Sequence, residues 1–271
     1  MTDIARLPAR TVIALEGPDT LALLERLVTH NTHDWQEGEA RYGALLTPQG
    51  KVIADFLALH TGGGVLLDVA ATGAEDLARR LKLFRLRAEV EIEPRSDLAV
   101  ALDPGGHADP RGAALPHRAF HPAGEIPGDA QARWRESRFD AAIAEFGEAF
   151  ATGEVFPSDI NMDQMGGVDL RKGCFVGQEV VSRMHRRGNV RRRTVAISGE
   201  HVEPGASVTA AGSTLGEVTS AEAGRGLARI RVDRLAKARQ NEASLLAGDL
   251  SAEISLPAWL EAEVAALMGD E

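Results

Sequence analysis

The segment that most constrains the fold of this chain is residues 40–70, ARYGALLTPQGKVIADFLALHTGGGVLLDVA. Three apolar runs of strand length lie within it, and two turn signals separate them, TPQG at 47–50 and GGG at 62–64. Strands that follow one another through turns this short pair antiparallel, because a parallel pairing needs a long crossover. The segment therefore predicts an antiparallel meander.

Helices and further strands flank the meander through short connections. A strand is predicted over Val12 to Leu15, and a helix follows it through Pro18 and Asp19 with apolar residues at helical spacing. A second helix is predicted over residues 73–84, with strands after it in AEVEIEP and DLAVALD. Helices and strands mixed in this way are typical of an α+β fold.

Residues 103–129 are crowded with proline, glycine and alanine, which predicts a loop or linker before a helix in AQARWRESRFDAAIAEF. The residues of this loop that could bind a metal are His107, Asp109, His117 and His121. Their spacing fits no helix face and no familiar ligand pattern, so we predict no metal site. After Arg193, short apolar runs broken by glycine and proline predict a small antiparallel barrel, and only PAWLEAEVAALMG is predicted to be helical there.

Composition excludes several classes of protein. An apolar fraction of 44% over 271 residues is enough for a real core. The single cysteine excludes an internal disulfide, a zinc site of several thiolates and a cluster held by four cysteines of this chain. No apolar stretch is long enough to span a membrane, and the N-terminus lacks the pattern of a secretion signal, so a cytoplasmic location is predicted.

The one cysteine, Cys174, lies in RKGCFVGQE, just before a predicted helix that begins near Gln178. Helix N-termini favour anions, and Arg171 and Lys172 add positive charge, so the thiolate form is favoured. This pattern predicts a reactive thiol. A lone cysteine is also often a small apolar filler, and spacing alone leaves that alternative open.

Residues 171–193 contain seven Arg and one Lys against one Glu, a net charge of +7 in a chain whose net charge is −10. The asymmetry predicts an anion site for carboxylates, phosphates or RNA. Phe175 is the only aromatic residue there, which weakens the case for single-stranded RNA. PQGKV lacks the other residues of a P-loop, and neither G-x-S-x-G nor a glycine-rich dinucleotide turn is present, so ATP, serine-hydrolase and NAD chemistry are not indicated.

The stretch GGVDLRKGCFVGQEVVSRMHRRGNVRRR closely resembles the signature of the YgfZ family, Lys-Gly-Cys-Tyr-x-Gly-Gln-Glu followed by an arginine-rich segment. THNTHDWQEGEARYGALLTPQGKVIADFLAL, EVFPSDIN and GSTLGEVTSA resemble other parts of the family's pattern. These folate-binding proteins assist the making or repair of iron-sulfur clusters and are related to mitochondrial cluster-assembly factors. Nearly the whole chain is covered, with 103–130 the least recognisable part.

The resemblance implies an α+β fold of the aminomethyltransferase (T-protein) type, in which three domains form a ring around a hole where tetrahydrofolate binds. Two interleaved α+β domains would be followed by a C-terminal antiparallel β-barrel. The implied ranges are 1–50 with 130–190, 51–129, and 191–271.

The resemblance also assigns site residues. Cys174 and Lys172 match the key motif positions and are the expected catalytic residues. The residues expected to bind tetrahydrofolate or a derivative are Arg186, Arg187, Arg191, Arg192, Arg193, Asp55 and Phe175. The arginines would pair with the carboxylates of the folate tail. Phe175 replaces the family's usual tyrosine. Ala54 precedes Asp55 where the transferases have two aspartates, which weakens glycine cleavage as the activity.

The function that the resemblance implies is that of a folate-binding accessory protein for iron-sulfur assembly or repair in client enzymes, including tRNA-modifying ones. The expected partners are folate and iron-sulfur client proteins, with no membrane and no stable nucleic-acid complex. Two alternatives stay open: a folate-dependent aminomethyl or one-carbon transferase, and an RNA-linked binding protein that uses the arginine-rich segment.

Overall fold

The computed structural model of the chain describes residues 4–186, 188 and 190–269. Its strands are β1 (Ala5–Arg6), β2 (Arg10–Glu16), β3 (Ala40–Leu46), β4 (Val52–Thr61), β5 (Gly64–Ala70), β6 (Glu91–Pro94), β7 (Leu98–His107), β8 (Arg118–Pro122), β9 (Arg192–Ser198), β10 (Ser207–Ala210), β11 (Ser213–Glu222), β12 (Arg225–Arg231), β13 (Leu245–Ala247), β14 (Leu250–Ser251) and β15 (Glu253–Ser255). Its α-helices are α1 (Thr20–Leu27), α2 (Ala74–Arg85), α3 (Gln131–Asp140), α4 (Gln178–Arg186), α5 (Val232–Gln240) and α6 (Ala258–Gly269).

The predicted meander is confirmed and forms most of a five-stranded sheet in the order β3-β4-β5-β2-β6. Gly43 lies opposite Phe56, and Leu57 lies opposite Asp68, in antiparallel register. Consecutive strand residues face opposite sides of a sheet. Phe56 therefore faces the core beneath α1 and α2, whereas Leu57 faces a second core on the other side.

Helices α1 and α2 cover one face of this sheet because both have an apolar stripe. Leu23, Leu24 and Leu27 of α1 pack in one cluster with Leu77 and Leu81 of α2. The opposite face of the sheet is covered differently. It is covered mainly by irregular chain between residues 139 and 175, together with Val181 of α4. This irregular layer brings the Cys174 segment onto the sheet.

A three-stranded sheet, β1-β7-β8, packs with α3 around the fully buried Trp134. The C-terminal strands form a seven-stranded sheet in the order β14-β13-β10-β11-β12-β9-β15. Its strand β9 is hydrogen-bonded to the irregular layer: Asn161 Nδ2 donates to Thr194 O at 2.8 Å, and Thr194 Oγ1 donates to Asp159 O at 2.8 Å. The three sheets are thus held together around the layer that contains the cysteine motif.

Three local predictions were wrong. Residues 103–129 contain β8 and the end of β7, which the sequence hid because Arg118, a charged residue, is fully buried in β8. The helix predicted to reach Phe146 ends at Asp140, and Ala142 has a left-handed φ of 53° that stops it. Helix α5 was missed, although Val232, Leu235 and Ala236 give it a buried face.

The predicted domain ranges stay a prediction. Strands β3 and β4 lie on opposite sides of the predicted boundary after residue 50, and they are neighbours in one sheet. Among the described helices, none has the length and apolar character needed to cross a bilayer.

Candidate functional site

Cys174 is an exposed residue between two buried ones. The thiol is solvent-accessible, whereas Lys172 and Phe175 are only 7% and 6% exposed. The Phe175 ring packs in the same core cluster as Tyr42 and Val181. The alternative that Cys174 is an apolar filler is therefore wrong, because its neighbours fill the core and the sulfur does not.

The buried ammonium of Lys172 ties the cysteine loop to the end of α1. Its Nζ donates to Val28 O at 2.9 Å and to His30 O at 2.6 Å, and lies 3.5 Å from Glu25 Oε2. Burial lowers the pKa of Lys172, and the Glu25 carboxylate opposes that effect. With these three acceptors inside the protein, the geometry gives Lys172 a positioning role for the loop, and its expected catalytic role stays a prediction.

The carboxylate of Asp169 fixes the backbone before the cysteine. Its Oδ1 accepts hydrogen bonds from Arg171 N at 2.8 Å and Lys172 N at 3.2 Å, and its Oδ2 accepts one from Asn31. Gln178, the first residue of α4, donates from Nε2 to Lys172 O at 3.1 Å. The loop is thus held from both sides, which keeps Cys174 in one place.

The turn at residues 47–50 packs directly on the start of α4. A Cβ on Gly177 would lie 2.5 Å from Thr47 O, and Gly177 has a φ of 80° that favours glycine. Gly50, with a φ of 78°, has Val180 and Gly177 O as its nearest neighbours. Glycine is required at Gly177 for both reasons, and it allows the meander turn and the cysteine motif to meet backbone to backbone.

An open groove of about 410 Å³ lies beside this loop. Its lining residues come from three stretches and are His30, Asn31, His33, Asp34, Glu39, Ala40, Arg41, Tyr42, Pro110, Met165, Gly166 and Asp169. The volume is in the usual range for small-molecule sites. Three carboxylates, one side-chain amide and one guanidinium line the groove, so it can accept a ligand with both donor and acceptor groups.

His30 forms part of the groove wall and has no hydrogen-bond partner at either ring nitrogen. Burial, together with the charges of Lys172 and Arg41, lowers its pKa to about 3. The imidazole is therefore neutral at physiological pH. A buried polar group without a partner is costly in a folded protein, which makes His30 a candidate ligand contact.

Asp55 and Tyr42 form a buried pair at the floor of the same region. Tyr42 OH donates to Asp55 Oδ2 at 3.0 Å, and Asp55 Oδ1 has no hydrogen-bond partner. Burial raises the pKa of Asp55, although the charges of Arg10 and Arg111 act in the opposite direction. Ala54 belongs to the cluster beneath the helices, so the adjacent position faces away from this pair.

The pair lies at the edge of a buried charge network, which we call the central ion cluster. Its members are Arg10, Arg111, Arg118 and Arg138 with Asp55, Asp68, Asp109 and Glu145. Arg10 Nε lies 2.6 Å from Asp68 Oδ1, and Arg111 Nη2 lies 2.7 Å from Asp109 Oδ2. Burial alone would raise the pKa of Asp109, but Arg111 and Arg118 outweigh it and bring the value to about 2. Asp109, considered above as a metal ligand, is thus bound to arginines.

The predicted folate-binding arginines do not line the groove, as far as the described residues go. Arg186, Arg191 and Arg192 are exposed elsewhere, and Arg187 lies outside the described residues. Arg193 is buried: its Nη1 donates to Asp163 Oδ1 at 2.7 Å, and its guanidinium stacks on Trp259 at 5.0 Å. Arg193 therefore joins the C-terminal sheet to the irregular layer. Phe175 and Asp55 are both on the groove side of the sheet, but neither lines the groove.

Sequence reasoning missed His30, Arg41, Tyr42 and Glu25. Tyr42 is the only tyrosine of the chain, and a lone tyrosine next to Arg41 in a predicted strand was a usable signal. The THNT stretch at 29–32 supplies groove residues and one acceptor for Lys172, His30 O, yet its letters indicated only a family resemblance. Only long-range contacts bring it to the cysteine motif.

Comparison with known proteins places this geometry in context. Residues 191–262 match the family described as "CAF17, C-terminal beta-barrel domain". The chain is similar to "Iron-sulfur cluster assembly factor IBA57 homolog, mitochondrial" of Pyricularia oryzae, at 30% identity over 214 residues, which cover 69% of this chain and 55% of that protein. It is also 27% identical to "Iron-sulfur cluster assembly factor IBA57, mitochondrial" of Homo sapiens, and the match covers 85% of this chain and 78% of that protein. The chain spans little more than half the length of the fungal relatives.

The structure is similar to the glycine cleavage system aminomethyltransferase T of Bartonella henselae, with a TM-score of 0.73 and 15% identity, over 95% of this chain and 85% of that one. This similarity confirms the predicted aminomethyltransferase-type fold, and the CAF17 match supports the C-terminal barrel. The cytoplasmic prediction is wrong by this comparison, because the curated relatives are named as mitochondrial proteins. The relatives are named IBA57 and CAF17, so the narrower YgfZ resemblance stays a prediction.

Proposed function

We propose that this chain assists the assembly or repair of iron-sulfur clusters in client enzymes, with Cys174 as a transient ligand of the cluster. The observation that carries the proposal is the exposed Cys174 held between buried Lys172 and Phe175. The protein places many contacts around a residue that is itself exposed. Such a loop presents a sulfur to a partner in one fixed position.

The chemistry follows from the count of thiols. Iron-sulfur clusters are commonly held by four cysteine thiolates, and this chain can supply one. The remaining ligands must come from the donor or the client. In the exchange, a bond forms between Cys174 sulfur and iron as one iron-sulfur bond to the donor breaks, and the thiol proton passes to solvent. No electron is transferred, so no oxidant is needed.

The similarity to proteins named as iron-sulfur cluster assembly factors supports this reading, and clients that include tRNA-modifying enzymes remain part of the proposal. The fungal relatives are longer than this chain, so activities of their additional segments are not carried over.

Tetrahydrofolate, or a derivative, is the proposed ligand of the groove. The aminomethyltransferase-type fold supports this, and the groove residues fit the molecule. Asp34, Glu39 and Asp169 offer acceptors for the amino and ring N–H groups of a pterin, and His33 offers a partner for tail carboxylates. The unpartnered nitrogens of His30 and the buried oxygen of Asp55 are further polar groups on this side. Bound folate would supply one-carbon or reducing chemistry.

Complementation tests the role of the thiol. In a strain lacking the corresponding gene, Cys174→Ser is expected to leave cluster-containing enzymes inactive and cluster-dependent tRNA modifications low by mass spectrometry, while the wild-type chain restores both. Gly173→Ala is the matched control, since a Cβ there meets nothing within 4 Å. Full rescue by Cys174→Ser would reject the proposal.

Calorimetric titration with tetrahydrofolate tests the ligand and its place. Asp34→Asn with His33→Gln should weaken binding if folate lies in the groove. Arg191→Gln with Arg192→Gln should weaken it only if folate lies along the arginine-rich segment. No heat of binding in the wild-type chain would reject folate as the ligand.

A second candidate function is a folate-dependent aminomethyl or one-carbon transferase. The specific observation in its favour is Asp55, whose Oδ1 is buried without a partner and whose pKa is raised by burial. This candidate predicts formation of methylene-tetrahydrofolate from an aminomethylated carrier, lost in Asp55→Asn. The RNA alternative would instead show strongly salt-dependent RNA affinity.

A further inference from the structure

Helix α2 ends in two exposed leucines that the proposed function does not use. Leu83 is 67% exposed and Leu86 is 84% exposed, the highest values among the large apolar residues that the structure describes as exposed. Leu83 lies in the last turn of α2, and Leu86 directly follows Arg85, the last residue of the helix. Both apolar side chains are therefore exposed at the same end of α2. Single exposed leucines are ordinary, but two adjacent ones require an explanation.

The backbone at Leu86 is held in a conformation that favours glycine. Its φ is 51° and its ψ is −108°, outside the regions that a leucine readily adopts. A glycine or asparagine would end the helix here with less strain. The fold thus displays a large apolar side chain at a position where its own backbone geometry opposes it.

Three arginines that line a groove with Leu86 have no ion-pair partner among the described residues. An open groove of about 810 Å³ beside Leu86 is lined by Arg26 of α1 and by Arg85 and Arg87. Among the residues described, no carboxylate lies within ion-pair distance of these three guanidiniums, although Arg85 donates to Val90 O at 3.0 Å. The neighbouring cations of α2 differ, since Arg79 and Arg80 pair with Asp76.

The remaining lining residues are Asp19, Ala22, Leu86 and Ala88. Asp19 is engaged locally, because its Oδ2 accepts a hydrogen bond from Glu89 N at 2.9 Å. The groove therefore combines the apolar side chains of Ala22, Leu86 and Ala88 with three guanidiniums and one carboxylate, which leaves an excess of positive charge. In a chain with a net charge of −10, such a surface is complementary to a ligand that is both apolar and acidic.

We propose that this surface, which we call the α1–α2 patch and define as Arg26, Leu83, Arg85, Leu86 and Arg87, docks an acidic, leucine-bearing segment of a partner protein. Carboxylates of the partner would pair with the guanidiniums, and an apolar side chain would cover Leu86. Arginine suits such a contact because its guanidinium is weakly hydrated and binds carboxylates in two-pronged geometry.

The patch lies partly on the helix that also supports the Cys174 loop. Helix α1 contains Arg26 of the patch and, one residue before it, Glu25, which pairs with Lys172 below the Cys174 loop. A partner seated on the patch therefore binds the same helix that supports the thiol. The docking proposal does not depend on what Cys174 does.

Fluorescence anisotropy of a labelled peptide that repeats Glu-Glu-Leu tests the proposal with the full chain. The wild-type protein should bind it saturably, and added salt should weaken the complex. Repeats of Gln-Gln-Leu and Glu-Glu-Ser should bind about tenfold more weakly, which separates the charge from the apolar contribution.

Two variants keep the test independent of folding. Leu86→Gly removes the side chain and relieves the backbone, so it should weaken peptide binding about tenfold with no loss of thermal stability. Arg26→Gln combined with Arg87→Gln should also weaken peptide binding about tenfold without loss of thermal stability, because two positive charges are removed. Leu267→Ser, an exposed leucine of α6, is the matched control and should bind normally.

Absence of saturable binding, or equal binding by wild type and Leu86→Gly, would overturn the proposal. Vesicles of phosphatidylcholine with phosphatidylserine provide the other arm. Association with these vesicles that Leu86→Gly abolishes, without peptide binding, would assign the patch to a lipid surface and reject a protein partner.

Discussion

Lys172 donates from Nζ to the carbonyl oxygen of His30 at 2.6 Å, so the cysteine motif and the THNT stretch, far apart in sequence, share one buried hydrogen bond. The same ammonium holds Val28 O and faces Glu25. Two backbone carbonyls and one carboxylate thus depend on a residue that the sequence suggested as a reactive group.

Replacement of Lys172 by methionine tests the positioning role. Methionine fills similar space but leaves two buried carbonyl oxygens without donors, so the free energy of unfolding should fall by about 2 kcal/mol. Iodoacetamide should modify Cys174 at a changed rate, because the loop is no longer fixed. Denaturant unfolding and mass spectrometry measure the two effects. The exposed Lys237→Met is the control, and an equal loss there would contradict the assignment.

His30 should make stability sensitive to mild acid. Its pKa is lowered from 6.5 to about 3 in the folded chain, chiefly by burial. The folded chain therefore favours the neutral imidazole of His30, whereas the unfolded chain also binds a proton there below pH 6.5. Stability is complete above pH 6.5 and is lost as the pH falls toward 3, by about 1.4 kcal/mol at pH 5.5.

Urea unfolding at pH 7.5 and 5.5 measures this difference. His30→Leu should remove most of it, whereas His33→Gln, whose imidazole is 80% exposed, should not. An unchanged pH dependence in His30→Leu would show that other groups cause the loss.

Gly177→Ala should separate α4 from the meander turn. The added methyl would lie 2.5 Å from Thr47 O, and alanine is strained at a φ of 80°. We expect a loss of about 2 kcal/mol in unfolding free energy, with faster hydrogen exchange in α4. Gly188→Ala is the comparison, because it has a positive φ of 61° without a close contact. Similar losses of unfolding free energy in both variants would mean that the positive φ, and not the contact with Thr47 O, causes the destabilisation.

Replacement of Arg193 and of the adjacent Arg192 should have very different effects on stability. Arg193→Gln breaks a buried ion pair with Asp163, and we expect a loss of about 3 kcal/mol. Arg192→Gln changes an exposed side chain and should stay within about 0.5 kcal/mol of wild type. Thermal and denaturant unfolding of the two variants decide the matter. Equal free energies of unfolding in the two variants would show that the buried ion pair of Arg193 does not stabilise the fold.

The sequence predicted elements that depend on local pattern. The turn signals at 47–50 and 62–64 were sufficient for the meander, and the glycine and helix-start residues after Cys174 were sufficient for α4. Cys174 is exposed, and its reactivity stays a prediction. Residues that are close together in the sequence determine these features.

Features set by long-range pairing could not be read in this way. Arg118 lies in a strand, and its charge argues against burial until Asp68 and Asp109 are seen beside it. Arg193 ends a run of exposed arginines, yet Asp163 and Trp259 enclose it. In both cases the sequence shows a charge, while the partner that decides its location comes from another part of the chain.

The central ion cluster also constrains how the N-terminal part can form. Its eight charged residues come from positions between 10 and 145, on strands of two different sheets, on helix α3 and on loops. A half-assembled intermediate would enclose a charge without its counter-ion, at a cost of several kcal/mol. The two sheets are therefore expected to close on one another in a single cooperative step, and a truncation between them should yield an insoluble product instead of a smaller folded unit.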